Sequence, residues 1–179
     1  MSDADNAVET ELKLRLSPDS RAGLEHHPAF NPPGASTPHT RHEVTTYFDT
    51  PDRTLSSRGA TLRVRHRGRS REQTLKLSGD GHGPLQRGEW NWRIKSDVPD
   101  LNRLTPTPIA PILPTIRAAS LQPMFTTDIQ RTARQLHLDK CTTVEAVFDE
   151  GCITANGSSL PVAEMELELK SGDVQPLYS

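Results

Sequence analysis

Val8-Glu9-Thr10-Glu11-Leu12-Lys13-Leu14-Arg15-Leu16 alternates ionised and mostly apolar side chains without a break. On a β-strand this alternation sets Glu9, Glu11, Lys13 and Arg15 on one face and Leu12, Leu14 and Leu16 on the other. Two carboxylates followed by an ammonium, spaced by two residues, can grip a divalent cation and an anionic group side by side. The pattern returns near the C-terminus in Ala163-Glu164-Met165-Glu166-Leu167-Glu168-Leu169-Lys170. A chain that opens and closes on acidic strands of this kind is expected to bring them together.

Four more segments share the construction. Thr61-Leu62-Arg63-Val64-Arg65 places two guanidiniums opposite Leu62 and Val64, and Thr74-Leu75-Lys76-Leu77 places Lys76 opposite Leu75 and Leu77. Gln86-Arg87-Gly88-Glu89-Trp90-Asn91-Trp92-Arg93 aligns Arg87, Glu89, Asn91 and Arg93 against Trp90 and Trp92. Val144-Glu145-Ala146-Val147-Phe148-Asp149 aligns Glu145 with Asp149. A single strand of this type is most often the wet side of an antiparallel sheet. Charged faces pointing outward would make a plain sandwich or barrel; pointing inward, they would line a polar bore. Periodicity alone permits both.

Composition narrows the function classes. A chain of 179 residues is long enough for one domain with a sizeable core. Its hydrophobic fraction, 33% with 4% aromatic, is low for a packed globule and fits a barrel with a charged interior. The net charge of -2, from 23 acidic and 21 basic residues, provides no overall basic field for nucleic acid. No apolar run reaches membrane-spanning length and no signal-peptide pattern is present, so a cytoplasmic protein is expected. Cys141 and Cys152 could flank a hairpin, yet sparse cysteine suits a reducing compartment, and no Cys/His spacing reads as a metal site. No GxxxxGK[ST] loop occurs, which excludes a P-loop nucleotide hydrolase on motif grounds.

Along the chain, Ser17-Pro18-Asp19 reads as an N-cap with proline at the first helical position, opening a short helix toward His27. The proline-rich stretch 28–40 reads as a loop, and His26-His27 as surface rather than ligand. Strands are expected at 41–49, 60–67, 71–78, 84–94, 124–138, 142–149, 152–155 and 160–170, with turns at 80–83, at Asp149-Glu150-Gly151 and at Asn156-Gly157. Counting 8–16 and merging the short return strand gives eight strands in antiparallel succession. A helix is expected within Ala110–Leu121.

These residues carry a family resemblance. Glu9-Thr10-Glu11-Leu12-Lys13 resembles the ExExK signature of the CYTH domain, the triphosphate tunnel metalloenzyme superfamily. Tyr47-Phe48-Asp49-Thr50-Pro51-Asp52, Leu55, Gly59 and Leu62-Arg63-Val64-Arg65 resemble its next block in order and spacing. Thr74-Leu75-Lys76, Gln86-Arg87-Gly88-Glu89-Trp90, Phe125-Thr126-Thr127-Asp128 with Arg131, and Glu164-Met165-Glu166-Leu167-Glu168 complete it. The likeness runs over residues 8–173 and is nearest the bacterial inorganic triphosphatase branch.

The resemblance implies a mainly β (α+β) single domain over 1–179: an eight-stranded antiparallel barrel with a few flanking helices and its charges turned inward. It implies a bore that binds triphosphate with Mg²⁺ or Mn²⁺. Carried over by position, Lys13, Arg63, Arg65, Lys76, Arg87 and Arg131 match the cations that hold phosphate oxygens. Glu9, Glu11, Glu166 and Glu168 match metal-holding carboxylates, with Glu164 on the same strand face and Asp149 placed beside them. Glu9, Glu11 and Lys13 stand at the implied catalytic centre, and Glu89 and Glu145 match further tunnel acids. Arg134, off the parity of Arg131, is expected on the outer surface. Relatives of that branch continue past the position of Leu177-Tyr178-Ser179 with a C-terminal helix and a basic segment. An uncovered edge or an open tunnel mouth is therefore expected where that helix would pack.

Interleaved charges of both signs are costly to desolvate unless paired and hydrated, a burden that suits a polyanion site better than a scaffold. Arginine supplies forked donors to phosphate, lysine a compact charge, and all-oxygen ligands suit Mg²⁺ or Mn²⁺ rather than zinc. The expected reaction is metal-assisted hydrolysis of inorganic triphosphate to diphosphate and phosphate, with no covalent nucleophile. Alternatives are a thiamine or nucleoside triphosphatase, a class IV-type adenylate cyclase, and a non-catalytic polyphosphate-binding module. The expected partner is a small-molecule triphosphate, with no nucleic acid or membrane, for a monomer or homodimer.

Overall fold

Each alternating segment forms a strand: β1 (Asp5–Arg15), β2 (His39–Asp49), β3 (Ala60–Arg67), β4 (Ser70–Ser78), β5 (Gln86–Ile94), β6 (Gln122–His137), β7 (Thr143–Ala155) and β8 (Ser158–Ser171). The computed structural model describes residues 5–78 and 86–175, without the side chains of residues 5–9, 18, 19, 22, 86, 87 and 118. The turn expected at 80–83 lies outside the described residues. The strands close into one barrel in the order β1-β5-β4-β3-β2-β6-β7-β8, every pair antiparallel.

Closure depends on β1, which is divided between two neighbours. Asp5 to Thr10 pair with β5, whereas Glu11 to Arg15 pair with β8 in the register Glu11↔Glu168, Lys13↔Glu166 and Arg15↔Glu164. The two acidic strands are thus hydrogen-bonded neighbours. Their alternation puts an ammonium directly across from a carboxylate at Lys13 and Glu166.

The apolar faces point away from the bore. Leu62 of β3, Leu75 of β4 and Trp92 of β5 are buried beneath Leu104, Ile109, Leu113 and Ile116. Those four come from two 3₁₀ turns, Leu101–Leu104 and Ala110–Ile112, and from the helix Leu113–Ala119 with the residues adjoining them. Each such side chain gains roughly 1.5–3 kcal/mol from burial, so a one-residue slip of these strands, which would turn them into the bore, is excluded. The low apolar content is sufficient because the core is a layer outside the barrel wall.

On the opposite wall, α1 (Pro18–Glu25) and the turn Pro28–Phe30 cover β7. Ser17 Oγ accepts the Ser20 N–H at 3.2 Å, the N-cap that the sequence predicts. Phe30 meets Phe148 edge to face at 5.6 Å, and Arg21 lies over the same ring. Arg134 donates to the Phe30 carbonyl at 2.6 Å, so this outward cation ties down the 28–31 segment.

One expectation is corrected. Asp149-Glu150-Gly151 is not a turn: β7 runs unbroken from Thr143 to Ala155, paired with β6 and β8 throughout. Gly151 serves a close approach, since a Cβ there would overlap the backbone carbonyl of Asp128 on β6. The chain reverses at Asn156-Gly157, where φ is 50° and 77° and Ala155 pairs with Ser158. Positive φ at both central residues makes this the tight two-residue hairpin that Asn-Gly favours.

Candidate active site

The inward faces line two connecting cavities of about 730 Å³ each, which share Lys13, Tyr47, Thr61, Arg63, Arg65, Arg131 and Glu166. Every described side chain of the implied site lines this bore, namely Glu11, Lys13, Arg63, Arg65, Lys76, Glu89, Arg131, Glu145, Asp149, Glu164, Glu166 and Glu168, whereas Arg15 and Arg93, set on the same charged faces by alternation, line neither cavity. Glu9 and Arg87 face each other in the β1–β5 register, and their side chains lie outside the described ones.

The charges are interlocked. Lys13 Nζ bridges Glu164 and Glu166 at 2.8 Å each. Arg131 donates from Nε to Asp149 at 2.8 Å and from a terminal nitrogen to Glu166 at 2.8 Å. Lys76 meets Glu89 at 3.2 Å, and Lys170 bridges Glu168 at 2.7 Å and Glu145 at 3.6 Å. Arg63 is held by Tyr47, which hydrogen-bonds its side chain, while its Nε is buried with no hydrogen-bond partner among the described residues.

Burial and pairing pull these groups in opposite directions. Burial works against the charge on Glu166, but Arg131 and Lys13 prevail and hold its carboxyl down at about 2. Lys13 and Arg131 are held above their ordinary ranges by the same carboxylates in spite of burial. Asp149 is the reverse case, raised because burial outweighs its contacts with Arg131. Burial, then the adjacent Arg63, pushes Arg65 down to about 9, which leaves it charged at neutral pH.

Sequence reasoning missed part of the lining. Glu43, 3% exposed, sits among Arg41, Arg65, Arg67 and Arg131. Tyr47 stacks on Phe125 with ring centroids 4.3 Å apart, whereas Asn91, which the sequence aligned with Glu89, links Glu89 to Thr74 at 3.0 and 2.7 Å. The signal was parity: Arg41, Glu43, Thr45 and Tyr47 alternate on β2 as the marked residues do on β1.

Among the described residues, no three His, Cys, Asp or Glu side chains converge on a cation position. The donors available are nonetheless all oxygen. Glu11 lies across from Glu168, Asp149 across from Glu164, and no His or Cys among the described residues lines either cavity. Such a set fits a hard divalent ion.

A candidate adenylate cyclase of Bacillus halodurans shares the fold with a TM-score of 0.55 at 17% identity, over 94% of this chain and 82% of that one. A candidate adenylyl cyclase of Hippeastrum, described as having a dominant triphosphatase activity, gives 0.56 at 19% identity over 94% and 81%. In sequence, the chain is 33% identical over 176 residues to the inorganic triphosphatase of Haemophilus influenzae. That alignment takes in 95% of this chain and 47% of the relative, so the chain spans about half the length of the curated protein it matches. The described CYTH domain matches residues 7–177, and with a closed barrel whose charged faces turn inward, the chain belongs to the CYTH domain family.

Proposed function

We propose that the bore binds inorganic triphosphate and hydrolyses it to diphosphate and phosphate, with Mg²⁺ or Mn²⁺ as cofactor. The observation that carries this reading is the interlocked lining: cations fit for phosphate oxygens stand next to carboxylates fit for a hard cation. Lys13, Arg63, Arg65, Lys76 and Arg131 bind and orient the phosphates, with Arg87 added from β5. Arg63 lines both cavities and adds its guanidinium where they meet.

A triphosphate that takes Lys13 and Arg131 from Glu164, Glu166 and Asp149 leaves buried carboxylates uncompensated, which is strongly unfavourable. A divalent cation relieves that cost, so substrate and metal each favour the binding of the other. Glu9, Glu11, Glu164, Glu166, Glu168 and Asp149 are the residues that would hold it. When bound, the ion supplies Lewis-acid neutralisation of the phosphate oxygens. Glu89 and Glu145 hold Lys76 and Lys170 in place around the bore. A cytoplasmic location belongs to the same proposal, in keeping with the two unpaired cysteines.

The test is a phosphate-release screen over triphosphate, ATP, thiamine triphosphate and long polyphosphate, with Mg²⁺, with Mn²⁺ and in excess EDTA. Triphosphate should be the best substrate and EDTA should abolish turnover. Full activity in EDTA would overturn the metal requirement, and cyclic AMP from ATP would move the protein to the cyclases.

A further inference from the structure

Among the described carboxylates of the bore, Glu43 has the most cationic company and the least solvent, at 3% exposed. Its Oε1 accepts from Arg41 Nε and Arg67 Nε at 2.6 Å each. Its Oε2 faces Arg65 Nε at 3.2 Å and Arg131 Nε at 4.0 Å. All four contacts use Nε, the inner nitrogen of the guanidinium. The terminal nitrogens are left to partners across the bore that these arginines line: one of Arg131 meets Asp149 and Glu166, and one of Arg67 lies 3.6 Å from Glu72. Three strands meet at this point: β2 supplies Glu43 and Arg41, β3 supplies Arg65 and Arg67, and β6 supplies Arg131.

Four guanidiniums gathered on one side of a bore repel one another, and each long side chain has several rotamers to lose. A buried carboxylate bonded to the inner nitrogens of Arg41 and Arg67, and facing those of Arg65 and Arg131, answers both problems before any ligand arrives. The arginines hold the carboxyl ionised in return, below the usual carboxylate range despite its burial.

We infer that Glu43 is a positioning residue that sets Arg41, Arg65 and Arg67 beside Arg131, so that these guanidiniums converge on an anion in the bore. The inference rests on the triphosphate reading above and extends it to a residue that touches no substrate. It has a sign that separates it from simple charge balance. Removing a negative charge from an anion site would by Coulomb's law tighten anion binding. Losing the positioning contact must weaken it.

The experiment is calorimetric binding of a non-hydrolysable imido analogue of triphosphate to the full chain with Mg²⁺ present, so that turnover plays no part. Steady-state phosphate release with Mg²⁺ accompanies it. Glu43→Gln keeps the shape but turns an amide NH₂ toward two arginine donors. It is expected to weaken binding by about tenfold, with KM rising more than kcat falls. Glu43→Asp keeps the charge on a shorter arm and is expected to fall between wild type and Glu43→Gln. Wild-type or tighter binding by folded Glu43→Gln overturns the inference. Should that variant not fold, wild-type affinity in Glu43→Asp overturns it equally. No binding by the wild-type protein overturns the triphosphate reading and this inference together, whereas equal binding by wild type and Glu43→Gln overturns the inference alone.

Discussion

Glu166 shows how much a single side chain carries here. It accepts from Lys13 and Arg131, and its carboxyl titrates near 2 instead of 4.5. An acid depressed in the folded state contributes stability above its unfolded pKa and loses it as pH falls toward the folded value. That contribution, on the order of 3 kcal/mol, should therefore be complete above about pH 4.5 and gone near pH 2. Asp149, raised by burial, works in the opposite sense and offsets a part. Denaturant melts of wild type and Glu166→Gln should differ most near neutrality and converge by about pH 2. A constant gap across that range would contradict the assignment. Residues of this kind were legible because β1 and β8 show strict charge alternation. Glu43 was not: His39–Asp49 mixes His, Thr and Val with its charges, so its inward parity emerges only once Tyr47 is known to face the bore.

Among the elements, β7 best separates what local sequence reveals from what it hides. Asp-Glu-Gly has turn chemistry, and taken alone it predicts a reversal. The strand continues because β6 and β8 pair with it on both sides, a long-range constraint that a local reading cannot contain. The glycine is there for the carbonyl of Asp128. Gly151→Ala should accordingly destabilise the barrel by more than about 2 kcal/mol, in the class of backbone clashes within paired strands. Gly68→Ala, at an open turn with φ of 58°, meets no neighbour and should cost less. Equal urea midpoints for the two variants would contradict the close-approach role. Asn156-Gly157 was readable from sequence because its turn geometry is set by those two residues themselves.

For the whole molecule, the decisive question was which way the charged faces point. Alternation could not answer it, since a strand with one apolar face is satisfied equally by a core inside the barrel or outside it. The answer lies in the 99–121 segment, whose leucines and isoleucines cover β3, β4 and β5 from outside. On the proposed reading, inward charge makes substrate and metal interdependent. In thermal melts, triphosphate with Mg²⁺ should raise Tm by more than the two separate increments together. Strict additivity would mean that the carboxylates and cations act independently. The most direct test of an inward catalytic bore compares two arginines of opposite direction, Arg63 in the bore and Arg134 on the outer wall beside Phe30. The measurement is kcat/KM for triphosphate hydrolysis with Mg²⁺. Arg63→Ala should lower it on the order of 10²–10³-fold, as expected for a lost transition-state donor in a shielded site, while Arg134→Ala stays within about threefold. Equal losses in the two variants would contradict the account.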